Sequence, residues 1–189
     1  MNIALLIAGG SGNRMGQDIP KQFMHVDGVP IIIRTMQCFQ QHPDVSAIAV
    51  VCLNGWETVL QSYANQFMID KLKWIFPGGN TGMESIHNGV YGLKEMGCND
   101  EDLVLIHDGV RPLLSQEIIS SNIASLQSLW LCYYRYSMPR SYIGKRRWIT
   151  SNTSIPRDTL IRTQTPQTFR LKNILGHMKS AYKKGIVIL

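Results

Sequence analysis

Asn2-Ile3-Ala4-Leu5-Leu6-Ile7-Ala8-Gly9-Gly10 is the stretch that decides the fold. Its apolar residues run without alternation up to a glycine pair, the pattern of a strand buried on both faces of a parallel sheet. The run is far too short to cross a bilayer, and no basic segment precedes it, which argues against a signal peptide. No membrane partner and a cytoplasmic location are therefore expected.

Outward from that strand, helical and strand patterns alternate. Helix is predicted over 31–40, with Ile32, Met36 and Phe39 on one face, and strand over 47–53. Helix follows over 58–67, a short strand over 72–76, and helix over 83–96 with Ile86, Val90 and Leu93 aligned. A buried strand over 103–107, stopped by Asp108-Gly109, leads to a helix over 116–126. Such alternation predicts an α/β fold, a doubly wound and mostly parallel sheet, in which ligands bind outside the carboxyl ends of the strands. Three distinctive loops fall at those ends, at residues 9–15, 78–85 and 107–112.

Composition sets the outer bounds. A chain of 189 residues, 44% hydrophobic and 17% charged, fits a single domain over 1–189 and excludes disorder and fibrous repeats. Cys38, Cys52, Cys98 and Cys132 form no C-x-x-C pair and have no His at ligand spacing. They read as reduced, mostly buried thiols, with neither a zinc site nor a disulfide framework. Charge is unevenly placed. Before residue 126 there are seven Lys/Arg against twelve Asp/Glu, and from there on twelve against one, which gives the net +6. A basic tail of this kind reads as a nucleic-acid or anionic-membrane patch, or equally as a site for a phosphorylated small molecule.

The loop Ala8-Gly9-Gly10-Ser11-Gly12-Asn13-Arg14-Met15 lets backbone N–H groups approach an anion, because three glycines remove the Cβ atoms that would block it. A Walker A loop would end in Gly-Lys-Ser/Thr, and a dinucleotide fingerprint would carry a third Gly where Met15 stands. Two cations follow the loop closely, Arg14, and Lys21 in Pro20-Lys21-Gln22. Fixed cations there suit a triphosphate losing pyrophosphate, since charge builds on the leaving group. The plainer alternative is a Gly-rich turn with two solvated basic side chains. In Leu105-Ile106-His107-Asp108-Gly109-Val110-Arg111-Pro112, Asp108 ends a buried strand and is placed to hold Mg²⁺, which prefers one or two carboxylates plus substrate phosphate oxygens. Its alternative is a turn-forming Asp with an ion pair to Arg111. His107 reads as a packed or hydrogen-bonded residue rather than a metal ligand.

Together with Gln164-Thr165-Pro166-Gln167-Thr168-Phe169, these motifs resemble the CTP-dependent cytidylyltransferases that act on methylerythritol phosphate or ribitol phosphate. The resemblance runs from residue 2 to about 175 and implies a Rossmann-like, nucleotide-diphospho-sugar transferase type of fold. It implies that Arg14 and Lys21 lie at the triphosphate, with Gly10, Ser11 and Gly12 in the loop around it. Ala8, Gly9, Gly79, Asn80 and Ser85 would line the cytosine pocket. Asp108 would be the metal and substrate carboxylate, with Arg111 beside it. Arg157 and Thr165 would bind the alditol phosphate, reached across a homodimer interface. The implied reaction is in-line attack of that phosphate on the α-phosphorus of CTP, with methylerythritol phosphate as first acceptor and ribitol phosphate as second. A nucleic-acid surface on the basic aromatic stretch is the reading these motifs weigh against.

The chain departs from the family in three places. Gly82 stands where the family usually has Arg. Residues 126–150 carry Trp130, Tyr133, Tyr134, Tyr136, Tyr142 and Trp148, five basic residues and no acid, where the family has a strand and then a β-arm used for dimerisation. Preserved length between family-like flanks favours a stretch read in a shifted frame over a divergent basic arm at 126–156. Finally, the sequence stops at Leu189, before the family's last acidic motif and a strand bearing a catalytic Lys. The expectation from these departures is a chain with little or no turnover, a remnant that binds CTP weakly if at all.

Overall fold

The computed structural model describes residues 1–10, 19–126, 131–137, 142–144, 153–155 and 161–183. In chain order the strands are β1 (Asn2–Ala8), β2 (His25–Val26), β3 (Val29–Pro30), β4 (Ala47–Cys52), β5 (Leu72–Pro77), β6 (Leu103–Asp108), β7 (Leu131–Ser137), β8 (Tyr142–Gly144), β9 (Thr153–Ile155) and β10 (Ile161–Arg170). The helices are α1 (Ile31–Gln40), α2 (Glu57–Gln66), α3 (Gly82–Glu95), α4 (Gln116–Ser125) and α5 (Leu171–Lys183), and a 3-10 turn spans Lys21–Phe23.

Six strands make one sheet in the order β5-β4-β1-β6-β10-β7. β5, β4, β1 and β6 are mutually parallel, and β10 runs against both β6 and β7. This is the doubly wound, mostly parallel α/β sheet that the sequence predicts. The unbroken apolar runs of β1 and β4 are explained by layers on both faces. Alternate residues Ala4, Leu6 and Ala8 face Ile32, Met36 and Phe39 of α1, Leu60 of α2 and Ile119 of α4. Ile3 and Leu5 face Val90 and Leu93 of α3 and Ile174, Leu175 and Met178 of α5. Filling both faces with side chains wholly removed from water gives this part of the sheet its stability, on the order of 1.5–3 kcal/mol for each large apolar side chain buried.

The strand after β6 carries no such signal. β10 reads IRTQTPQTFR, polar at most positions and broken by Pro166, which cannot donate to a ladder. The structure resolves the conflict with a register shift. β10 pairs with β6 only from Gln167 to Arg170, and its pairing to β7 slips between Gln164 and Gln167. Continuing the pairing to β6 brings Pro166 and Thr165 alongside His107 and Asp108, the last two residues of β6. Within the stretch expected as an arm, β7 joins the main sheet and β8 pairs with β9 as a separate two-stranded sheet. Cys38, Cys52 and Cys98 are free thiols, Cys52 and Cys98 fully within the core, as expected, and Cys132 lies among residues whose side chains are not described. Among the described residues no helix is long and apolar enough to cross a membrane.

Close packing of α3 on the sheet depends on its glycines. A Cβ at Gly92 would fall 2.5 Å from the Phe76 ring, which is itself held in the core. Gly92→Ala gains about 1 kcal/mol of helix propensity but must displace that ring, at about 1–3 kcal/mol. The variant should lose about 1 kcal/mol of stability net, read as a lower denaturant midpoint with an unchanged m-value; a midpoint raised by Gly92→Ala would show that the helix can move away.

Candidate active site

The floor of the site is made where two glycine loops meet over the end of β4. A Cβ on Gly9 would fall 2.8 Å from Ser85 Oγ and 3.0 Å from the Gly78 Cα, and one on Gly78 would fall 2.9 Å from the Cys52 carbonyl oxygen. The Gly78 N–H donates to that carbonyl at 2.7 Å, which ties the loop after β5 to β4. The Cys52 thiol beneath is no nucleophile, because burial pushes it up to about 12.

On one side of the floor stands the start of α3. Thr81 caps it, its hydroxyl oxygen accepting from the Glu84 N–H at 3.1 Å, while Glu84 reaches back to accept from the Asn80 N–H at 2.7 Å. This is a capping box with its return bond one residue early. Ser85, fully buried, accepts from the Gly79 N–H at 3.0 Å and donates to the Thr81 carbonyl at 3.1 Å. A Cβ on Gly79 would overlap Glu84, at 2.3 Å from its Cβ. Gly9, Gly79, Asn80 and Ser85, scattered in sequence, are therefore brought together, with Ala8 at the end of the same strand.

On the other side of the glycine loop lies the 3-10 turn that carries Lys21. Lys21 is partly exposed, and no side-chain partner holds it among the described residues. Gln22, next to it, is buried and donates from Nε2 to the carbonyls of Ala8 at 2.9 Å and Gly10 at 3.0 Å. The third wall is the end of β6. Asp108 forms an ion pair with Arg111, and Arg111 also donates to the Gln164 side chain of β10. The Asp108 N–H donates to Thr165 Oγ1 at 3.5 Å, a contact that follows from the ladder to β10 ending before Pro166. Thr165 stands beside Asp108 of its own chain. Gly109 packs against Ala8 and Ile32, and its carbonyl accepts from Thr35 Oγ1 at 2.9 Å, which fixes the turn to α1.

His107 is buried against Phe39 and donates from Nε2 to the Arg111 carbonyl at 3.1 Å. Burial lowers its pKa and keeps the ring neutral. It is the packed, hydrogen-bonded residue expected. Asp108 forms the ion pair of its plainer reading, and the pair sits half exposed at the sheet's carboxyl edge. No cluster of three His, Cys, Asp or Glu occurs among the described residues. Ser11, Gly12, Arg14 and Arg157 lie outside the described residues. Gln22, Gln164, Thr81 and Glu84 escape the sequence reading as site residues. The Thr81-x-x-Glu84 spacing carries a capping signal; the two glutamines carry none beyond their place inside the motifs.

Comparison with known proteins agrees with this geometry. The family model described as 2-C-methyl-D-erythritol 4-phosphate cytidylyltransferase matches residues 2–188. A ribitol-5-phosphate cytidylyltransferase of Lacticaseibacillus paracasei is 38% identical over 100% of this chain and 85% of its own length. A 2-C-methyl-D-erythritol 4-phosphate cytidylyltransferase of Clostridium tetani is 36% identical over 93% of this chain and 70% of its own. The crystal structure of 4-diphosphocytidyl-2C-methyl-D-erythritol synthase from Anaerococcus prevotii superposes with a TM-score of 0.76 at 22% identity, covering 100% of this chain and 78% of that one, a likeness of fold. With glycine floor, capped α3, Lys21 turn and Asp108 wall set at one sheet edge, and with relatives this similar over nearly the whole sequence, the chain belongs to the 2-C-methyl-D-erythritol 4-phosphate cytidylyltransferase family of nucleotidyltransferases.

Proposed function

We propose that this chain transfers CMP from CTP to ribitol 5-phosphate, forming CDP-ribitol and releasing pyrophosphate. The observation that carries the acceptor is the 38% identity, over the whole chain, to a protein named for ribitol 5-phosphate. Methylerythritol phosphate, placed first by the motifs alone, becomes the second reading, favoured by the 36% identical relative from C. tetani. Both acceptors are acyclic polyol phosphates, the methylerythritol one carrying a methyl branch, and would meet the same residues.

In this reading an oxygen of the acceptor phosphate attacks the α-phosphorus of CTP. The bond from that phosphorus to the oxygen bridging to the β-phosphate breaks, and the electron pair leaves with pyrophosphate. No general base is needed, because a phosphate monoester with a second pKa of about 6 is mostly a dianion near neutral pH. Catalysis is then positioning and charge neutralisation. The floor of Gly9 and Gly78 admits the nucleotide backbone closely, and Ser85 with Gly79 shapes the side where the base would lie. Lys21, without a side-chain partner among the described residues and tied to the glycine floor through Gln22, together with Arg14, neutralises charge growing on the leaving group. Thr165 and Arg111 face the acceptor, and Arg157 reaches its phosphate across the interface of a homodimer.

Mg²⁺ belongs to the same proposal. Asp108 fits it as one hard carboxylate at the phosphate edge, the donor set Mg²⁺ takes when substrate oxygens complete its shell. When bound there it would neutralise phosphate charge. Asp108 would hold it through the oxygen that Arg111 leaves free, and Gln164 would keep Arg111 aligned during the exchange of partners.

Pyrophosphate release measured with CTP and each polyol phosphate in turn should show ribitol 5-phosphate as the better acceptor by kcat/KM. A preference for methylerythritol phosphate would install the second reading, and CTP binding without turnover would mark a non-catalytic relative. Lys21→Ala should lower kcat at least about a hundredfold, the scale of a lost transition-state donor, with a smaller change in KM for CTP; near-normal kcat would return Lys21 to a solvated surface cation. Asp108→Asn should remove the dependence of rate on Mg²⁺ while the melting temperature stays within a few degrees, and an unchanged Mg²⁺ titration would leave Asp108 only its ion pair with Arg111.

A further inference from the structure

We propose that Gln22 is a positioning residue for the nucleotide, tying the backbone of Ala8 and Gly10 to the turn that carries Lys21 and so fixing the ammonium at a set distance from the glycine floor. The inference rests on the proposed CTP reaction and adds a residue to it.

Gln22 is 1% exposed, and its Nε2 spends both protons on the carbonyls of Ala8 and Gly10, at 2.9 and 3.0 Å. Two carbonyl partners leave only one orientation for the carboxamide, since its oxygen in that place would meet two other acceptors. Oε1 has no partner among the described residues, although it too is buried. A buried polar side chain that leaves one of its own atoms unsatisfied is a poor choice for stability alone. Its value lies in what the other atom does.

That atom fixes the backbone where β1 gives way to the glycine floor. In a planar trans peptide the carbonyl and the following N–H point to opposite sides. Drawing the Ala8 carbonyl toward Gln22 therefore turns the Gly9 N–H the other way. A Cβ built on Gly10 meets none of the described residues within 4 Å, so the bond from Gln22 to the Gly10 carbonyl is what fixes this residue to the 3-10 turn. Gln22 also shares its 3-10 turn with Lys21, and that turn is anchored by the Phe23 N–H donating to the Pro20 carbonyl at 2.9 Å and by Phe23 stacking on Trp56. One side chain thus links the backbone of the glycine floor to the turn that bears the ammonium group expected at the triphosphate.

The test uses Gln22→Glu, which keeps the shape and replaces the donor by an acceptor, and Gln22→Met, which keeps the length without either. Calorimetric titration with CTP and Mg²⁺ should show Kd raised about tenfold or more, the scale of a misplaced contact. KM for the polyol phosphate should change less than about twofold, a split that general loosening of the fold would not produce. In the wild-type chain, the Gln22 carboxamide protons should exchange slowly with solvent, and their NMR resonances should shift on adding CTP but not on adding polyol phosphate alone. This readout stands if both variants fail to fold. CTP binding in both variants equal to wild type, or carboxamide resonances indifferent to CTP, would overturn the inference alone. No CTP binding by the wild-type chain would overturn the proposed reaction, and the role of Gln22 with it.

Discussion

The contact between Gly9 and Gly78 is the constraint on which the site depends. β1 and β5 are not neighbours in the sheet; β4 lies between them. Their loops meet only because each brings a residue without Cβ, and a methyl group on either would have to enter backbone at 2.9–3.0 Å. Separating them would carry Ser85 and the first turn of α3 away from the end of β1. Glycine adds entropy to the unfolded chain, and the fully buried strands beneath offset that cost. A site seated on such strands inherits their rigidity, which is what holding a reacting phosphate in line requires.

Charge in the site is divided unequally between its walls. The Asp108–Arg111 pair is about half exposed, with side chains 41% and 49% accessible, so it adds little to stability. Its consequence is geometric: the planar guanidinium is held between a carboxylate and the Gln164 amide. Having spent its charge on Asp108, Arg111 leaves that wall close to neutral. Among the described residues Lys21 has no such partner. An anion approaching Arg111 must compete with a carboxylate, which one approaching Lys21 does not meet among those residues. The residues before 126 are net acidic, so Lys21 is a local positive charge within an acidic stretch of sequence.

What the sequence makes legible follows from how local each feature is. β1, β4 and β6 are read within a residue or two, because strands covered on both faces leave unbroken apolar runs, and the helices between them leave a helical period; the edge strand β5 is read from the shorter run Trp74-Ile75-Phe76 before its Pro-Gly-Gly stop. The strand-end loops are legible for the same reason: Gly9, Asp108 and Arg111 stand next to strands already recognised. β10 is not, since Pro166 and its polar neighbours deny it an apolar pattern, and it is a strand through its ladders to β6 and, across a register shift, to β7. The partners that finish the site are remote as well. Arg111 and Gln164 lie 53 residues apart, and Gln22 reaches back 12 and 14 residues to Gly10 and Ala8. Glutamine has no preferred role that would announce either contact; only the fold selects it.

The start of α3 completes this division of labour. A helix N-terminus carries partial positive charge and unsatisfied N–H groups. Here Glu84 sits in the first turn and Thr81 and Glu84 take two of the nearby donors, while Gly82 brings no side chain. The positive end of the helix is thus answered from within the chain. What α3 offers the site is shape, set by the buried hydroxyl of Ser85 and the close backbone of Gly79. A wall of shape without net charge suits an uncharged group, and Lys21, which has no side-chain partner among the described residues, suits an anionic one. The two walls flank one glycine floor, so in the proposed reaction the base of CTP would lie against α3 and its phosphates on the Lys21 side, toward the edge where Asp108, Arg111 and Thr165 stand.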